Sequence, residues 1–204
     1  TTVTISMDAT DIENHSSWAE DAVITISATV TDRAGNFTEG GVSTASLTID
    51  EILPADLGIS QVIGVDSIIV PGYMNSTNQF MSVSTTLSLA DNTMLNGKVQ
   101  VQARFESVVP FTNIGVSQNV SSGDIADGYI RTDIDTSIIW TLPSAATGEI
   151  LYYRSLLTDI AGNETSQGVS SVTTMIDNVP HDNAVMTYSV LTANQNDTVT
   201  VTAT

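Results

Sequence analysis

No cysteine occurs in the 204 residues, so no disulfide can staple the fold, and neither a thiolate nucleophile nor a cysteine-ligated metal is available. Aromatic residues make up 5% of the chain, which leaves Val, Ile, Leu and Ala to fill any core. Lys and Arg number 5 against 23 Asp and Glu, a net charge of −18. That balance excludes nucleic acid as a partner, because binding it needs a basic footprint that displaces counterions. An anionic membrane surface is excluded on the same ground. Neither a signal peptide nor an apolar run of spanning length is present. The opening, Thr1-Thr2-Val3-Thr4, reads as a mature product or an excerpt.

What the chain does have is 41% hydrophobic residues, enough for one large or two modest β-domains with cores of their own. Charged residues are 14%, and Thr, Ser and Asn carry the polar surface instead. β-branched side chains fit a half-buried pleated surface and lose rotamer freedom in helices, so this mixture favours strands. Hydrophobicity this high with charge this sparse excludes disorder. The acidity has two readings: solubility and mutual repulsion between surface molecules, or calcium, which takes oxygen ligands from Asp, Asn and carbonyls.

An internal repeat organises the chain. Residues 31–50, TDRAGNFTEGGVSTASLTID, align without a gap on residues 158–177, TDIAGNETSQGVSSVTTMID. Both keep Thr-Asp-x-Ala-Gly-Asn, then Gly-Val-Ser, then Ile-Asp; Pro54 and Pro180 follow. An alternating strand precedes each copy, Val23–Val30 in one and Ile150–Leu157 in the other. The Asp-x-Ala-Gly-Asn stretch supplies turn chemistry, with Gly35 and Gly162 at positive φ and Asp32 and Asp159 accepting backbone N–H bonds. A second strand is expected over Val42–Ile49 and Val169–Ile176, ended by the proline-containing linkers Asp50–Pro54 and Asp177–Pro180. A weaker repeat matches Asn96–Arg104, NGKVQVQAR, to Asn196–Thr204, NDTVTVTAT: a turn, then strict alternation. Tyr73–Asp91 reads as an extra strand pair.

TDRAGN and TDIAGN, each followed by a Gly-Val-Ser strand and an Ile-Asp…Pro linker, resemble tandem bacterial immunoglobulin-like (Big-type) repeats of large surface adhesins. NDTVTVTAT is similar to the opening strand of such a domain, and Gly72-Tyr73-Met74-Asn75-Ser76 to a strand-start motif. The resemblance covers most of the chain and implies an all-β fold of tandem immunoglobulin-like β-sandwich domains, an extracellular, cell-surface location and no catalytic group. The expected division is 1–53, the latter part of one domain; 54–180, a complete domain; and 181–204, the opening strands of a third. Partners would be adjacent repeats or identical subunits, head to tail.

Catalysis has little to work with. His15 and His181 lie in polar stretches, and no nucleophile elbow, phosphate loop or zinc-type cluster is present. The candidate calcium ligands are Asp32, Asn36, Asp50, Glu51, Asp159, Asn163, Asp177, Asn178 and Asp182, placed where turns face linkers; the competing role of Asp32, Asn36, Asp159 and Asn163 is turn formation. A second acidic set, Asp124, Asp127, Asp133 and Asp135, reads as a solvated loop. Sequons at Asn14, Asn36, Asn75, Asn119, Asn163 and Asn196 fit a glycosylated surface protein. Trp140, Tyr152 and Tyr153 read as core, and Trp18 as an exposed aromatic. Three functions follow: a rigid spacer of a giant surface protein; a repeat or subunit of a self-assembling filament or surface layer completed by strand exchange, residues 181–204 of one copy pairing with 1–53 of the next; and a module binding surface glycans.

Overall fold

The computed structural model describes residues 4–66, 68–105, 110–179, 186–188 and 201–203. The chain is all-β, with helices of only five or six residues. In chain order come α1 (Ala9–Glu13), β1 (Val23–Thr25), β2 (Thr29–Thr31), β3 (Phe37–Glu39) and β4 (Ser46–Thr48). Next are β5 (Ile59–Val65), β6 (Tyr73–Met74), β7 (Phe80–Thr86), β8 (Lys98–Phe105), β9 (Thr112–Asn113) and β10 (Gln118–Asn119). Then follow α2 (Ser122–Asp127), β11 (Tyr129–Asp135), α3 (Thr136–Trp140), β12 (Ile150–Thr158), β13 (Glu164–Ser166) and β14 (Thr173–Ile176). Two short strands, β15 (Met186–Tyr188) and β16 (Val201–Ala203), pair with each other.

β8 and β12 form the spine of a seven-stranded sheet, antiparallel from Leu151↔Phe105 to Thr158↔Lys98. Both alternate strictly, as a strand with one face on a core must: Val99, Val101, Ala103, Phe105, Leu151, Tyr153 and Leu157 are buried. β13 and β14 lie on the other edge of β12, and β14 takes β6 as a parallel neighbour. A three-stranded sheet has β7 between β5 and β11. Met81, Val83 and Ile134 from this sheet join Val101, Phe105, Leu151 and Tyr153 of the first in one apolar cluster. Each such side chain stabilises the packing by about 1.5–3 kcal/mol. A second cluster, Leu87, Met94, Val99, Val120, Ile130 and Leu157, closes one end. Both clusters fall within residues 59–176.

The repeat is deeper in structure than in sequence. β1 pairs with β4 as Val23↔Thr48 and Thr25↔Ser46; 127 residues on, β12 pairs with β14 as Ile150↔Met175 and Tyr152↔Thr173. β2 and β3 pair as Thr29↔Glu39 and Thr31↔Phe37, matching Leu156↔Ser166 and Thr158↔Glu164. The helices correspond too: Asp8 caps α1 and Asp135 caps α3, each accepting a backbone N–H two residues on. Asp21 and Gly148 share a positive φ and the same bond to the carbonyl of Ile49 or Ile176. The correspondence therefore runs from Asp8 to Ile52 and from Asp135 to Val179.

Burial separates the two copies. Ile26 and Val30 are 46% and 71% exposed, whereas their counterparts Tyr153 and Leu157 are 0% and 1% exposed. Among the described residues before Pro54, Ile49 is the one buried apolar side chain. Among the described residues, no strand stands to β1 and β2 as β8 stands to β12.

Several expected elements differ. Val23–Val30 is broken into β1 and β2, while the equivalent β12 is continuous because β8 runs along nearly all of it. The strands expected over Val42–Ile49 and Val169–Ile176 start late, at Ser46 and Thr173. Ser43 and Ser170 interrupt them, each turning its hydroxyl oxygen to accept the N–H two residues on. The acidic stretch expected as a loop is α2 followed by β11, with Ser121 and Asp124 forming a reciprocal cap. Trp140 is half-buried at the end of α3 rather than fully in the core. Here the Asp135 cap overrides the strand preference of Ile138 and Ile139.

Candidate functional site

The most specific polar contacts between the two copies of the repeat lie where the turn after β12 meets the linker from β4. The turn forms for local reasons. Asp159 ends β12, and its Oδ1 accepts the N–H groups of Gly162, at 2.8 Å, and Asn163, at 2.9 Å. Gly162 sits at φ 99°, where a Cβ would be strained. The Asn163 amide Nδ2 donates to Asp159 Oδ2 at 2.9 Å and reaches across to the carbonyls of Asp50, at 3.0 Å, and Ile52, at 3.3 Å. One amide thus ties the second copy's turn to the chain leaving the first. Asp56 adds another tie, its Oδ2 accepting the N–H of Gly168 at 3.0 Å.

The first copy builds the same turn without a linker against it. Asp32 Oδ1 accepts from Ala34 and Asn36, each at 2.8 Å, and Asn36 Nδ2 donates to Asp32 Oδ2 at 2.9 Å. The Asn36 side-chain bond, then the backbone N–H groups, hold the Asp32 carboxyl below the usual aspartate range. Asp159 is buried and Asp32 is exposed, so a shared motif serves two environments.

The expected juxtaposition of turn and linker is present for Asp159, Asn163 and Asp50. Asp50 Oδ1 accepts from Ile52 N at 3.1 Å, and its Oδ2 is buried without a partner among the described residues. Glu51 points elsewhere, accepting the Trp18 indole N–H at 3.0 Å, while its own N–H donates to Glu20 at 2.6 Å. Trp18, expected exposed, is half-buried by that contact. Asp177 accepts from Val179 N at 3.2 Å, and Asn178 N donates to Thr147 Oγ1 at 3.3 Å, so both lie at the far end of the second copy. Asp182 and His181 lie outside the described residues.

Calcium needs six or more oxygens converging on one point. The Asp32 and Asp159 carboxylates are occupied by N–H donors, and Asn163 presents its NH₂ group to two carbonyls. Among the described residues no group of three or more His, Cys, Asp or Glu side chains is placed to hold a metal ion. The residues here fit a hydrogen-bonded clamp on the linker rather than a calcium cage. His15 is exposed, its Nδ1 accepting from Ser17 N at 3.2 Å. No described helix is long and apolar enough to cross a membrane.

Sequence reasoning missed Glu20 at this junction, and it counted Asp56 among the acidic linker residues without its contact to Gly168. Gly168, which Gly41 matches in the other copy, was the available signal that a backbone group there had a partner. No protein-family model, no curated protein and no solved structure matches the chain.

Proposed function

We propose that the chain is a non-catalytic structural segment of tandem immunoglobulin-like sandwiches of the Big type. It acts as a rigid spacer of a large extracellular surface protein, projecting a distal module from the cell. The observation that carries this reading is the clamped junction: Asn163 and Asp56 fix the linker between two copies of one unit. A spacer needs its units held at a constant angle, and the linker Asp50–Pro54 left free would not do that. Both apolar clusters lie between residues 53 and 180, which supports a division at those limits. A surface of Thr, Ser and Asn with net charge −18 suits an exposed, glycan-bearing, self-repelling array.

The test is the width of a distance distribution. With no native cysteine to interfere, spin labels at Thr38→Cys and Ala126→Cys report on the junction between the two copies. A single narrow distribution, broadened by Asn163→Ala, is the expected result. A distribution already broad in the parent chain would defeat the spacer reading.

A filament subunit remains the second reading, favoured by the uncovered apolar face of the first copy.

A further inference from the structure

The face left open on the first copy has a defined shape, because the second copy shows what fits it. β12 is flanked on one edge by β13 and β14 and on the other by β8. β1 and β2 have β4 and β3 on the corresponding first edge; among the described residues no strand pairs with their second edge. Unpaired N–H and C=O groups beside an apolar face are a template for strand addition.

The chain carries a strand of the right composition. β8 presents Val99, Val101 and Ala103 to the core, all fully buried, opposite Leu157, Ser155 and Tyr153. One hundred residues on, the same three residue types recur at the same alternate positions, as Val199, Val201 and Ala203. The polar places Lys98, Gln100, Gln102 and Arg104 are all Thr: Thr198, Thr200, Thr202 and Thr204. Residues 201–203 already form β16, bonded along one edge by β15.

We infer that residues 198–204 of a second copy of this chain add as an antiparallel strand to the free edge of β1 and β2, in the register that β8 takes on β12. That register sets Val199 opposite Val30, Val201 opposite Ala28, Ala203 opposite Ile26 and Thr200 opposite Thr29. It turns β1 and β2 into one continuous strand, as β12 is, and covers Ile26 and Val30.

The linker geometry points to the same partner in the same orientation. Asn163 holds the carbonyls of Asp50 and Ile52, which lead into the second copy. Asn36 is its counterpart, and the residues equivalent to Asp50 and Ile52 are Asp177 and Val179, exposed at the outgoing end. A second molecule that donates residues 198–204 brings its own Asp177 and Val179 carbonyls to Asn36 Nδ2. One docking therefore satisfies two contacts, and its repetition gives a head-to-tail string. The inference rests on the tandem-repeat part of the proposed function and names the neighbour.

Site-specific cross-linking tests it, with no native cysteine as background. Thr29→Cys chain mixed with Thr200→Cys chain under mild oxidation should give a disulfide-linked dimer. Neither variant alone should do so, nor should Thr29→Cys mixed with Thr204→Cys, which is four residues out of register. Sedimentation of the parent chain should show concentration-dependent association that strengthens with salt, because two chains of the same sign repel until screened. Val201→Asp should abolish association and Asn36→Ala raise its Kd at least tenfold, with near-ultraviolet dichroism of the buried Tyr153 unchanged in both. A chain monomeric at all concentrations that forms no mixed disulfide overturns the inference. So does a Thr29→Cys/Thr200→Cys double variant that closes within a monomer. A monomer that keeps the narrow Thr38–Ala126 label distance would overturn strand donation while leaving the spacer reading standing.

Discussion

Replacing Asn163 by Ala removes one amide and with it three hydrogen bonds: to Asp159 Oδ2 at 2.9 Å, Asp50 O at 3.0 Å and Ile52 O at 3.3 Å. Asp159 is 4% exposed, so water cannot readily replace the lost donor. A bond to a charged acceptor contributes about 1.5–3 kcal/mol, and the linker carbonyls add about 1 kcal/mol where they stay shielded. Allowing for partial rehydration, Asn163→Ala should cost about 2–3 kcal/mol. For a unit of this size that lowers Tm by roughly 6–10 °C. Asn36→Ala is the internal control: same residue, same turn, same bond to an aspartate, but exposed and with no linker to hold. Measured by thermal melting at a dilution where the chain is monomeric, it should move Tm by far less. Equal shifts for the two variants, or an Asn163→Ala shift under about 2 °C, would refute the assignment of Asn163 as the clamp.

Further tests follow from burial and backbone. Tyr153 is fully buried, its hydroxyl has no partner in hydrogen-bond geometry among the described residues, and desolvation raises its pKa above the ordinary tyrosine range. Tyr153→Phe should be neutral or stabilise by about 1 kcal/mol in a urea melt at pH 7. Because the folded state holds that proton more tightly, the tyrosine's contribution is intact below its unfolded pKa and is lost as pH climbs beyond it. The parent should therefore lose stability above about pH 10, by up to about 1.4 kcal/mol per pH unit, more steeply than Tyr153→Phe. A Cβ on Gly97 would lie 2.5 Å from the Thr158 carbonyl oxygen, whereas one on Gly162 meets nothing within 4 Å and only strains φ. Gly97→Ala should destabilise by more than about 3 kcal/mol and Gly162→Ala by about 1–2 kcal/mol, read from equilibrium denaturation. Residues 54–180 expressed alone should melt cooperatively, and residues 1–53 should not; a cooperative transition in the latter would move the boundary.

Turn chemistry was the most legible part of the sequence. Asp-x-Ala-Gly-Asn predicts a tight connection that only glycine and an acceptor side chain satisfy, and both copies form it. The alternation of Ile150–Leu157 and Lys98–Arg104 gave their faces directly. The upstream half of the repeat was not legible, because pairs such as Ile26 and Tyr153 or Val30 and Leu157 hold equivalent places 127 residues apart but share neither identity nor burial. The helix at Thr136–Trp140 was hidden for a different reason: β-branched residues outvote one capping aspartate in any local count. At the junction, the meeting of turn and linker could be anticipated from spacing. Which end of the Asn163 amide faces the linker could not, since only the folded positions of the Asp50 and Ile52 carbonyls decide it.

The place of β14 bears on how the chain would behave under tension. The chain leaves the second copy at Asp177, directly off the end of a strand held on both sides. Met175 N bonds Gly72 O at 2.8 Å and Asp177 N bonds Met74 O at 2.9 Å on the parallel side. Gly148 N bonds Ile176 O at 2.7 Å and Ile176 N bonds Glu149 O at 3.0 Å on the antiparallel side. A pull along the outgoing linker runs along the strand axis, across these bonds rather than in line with them. They share the load and must yield together in shear instead of peeling one by one. Force applied from one repeat to the next would meet its stiffest resistance at the last strand it reaches.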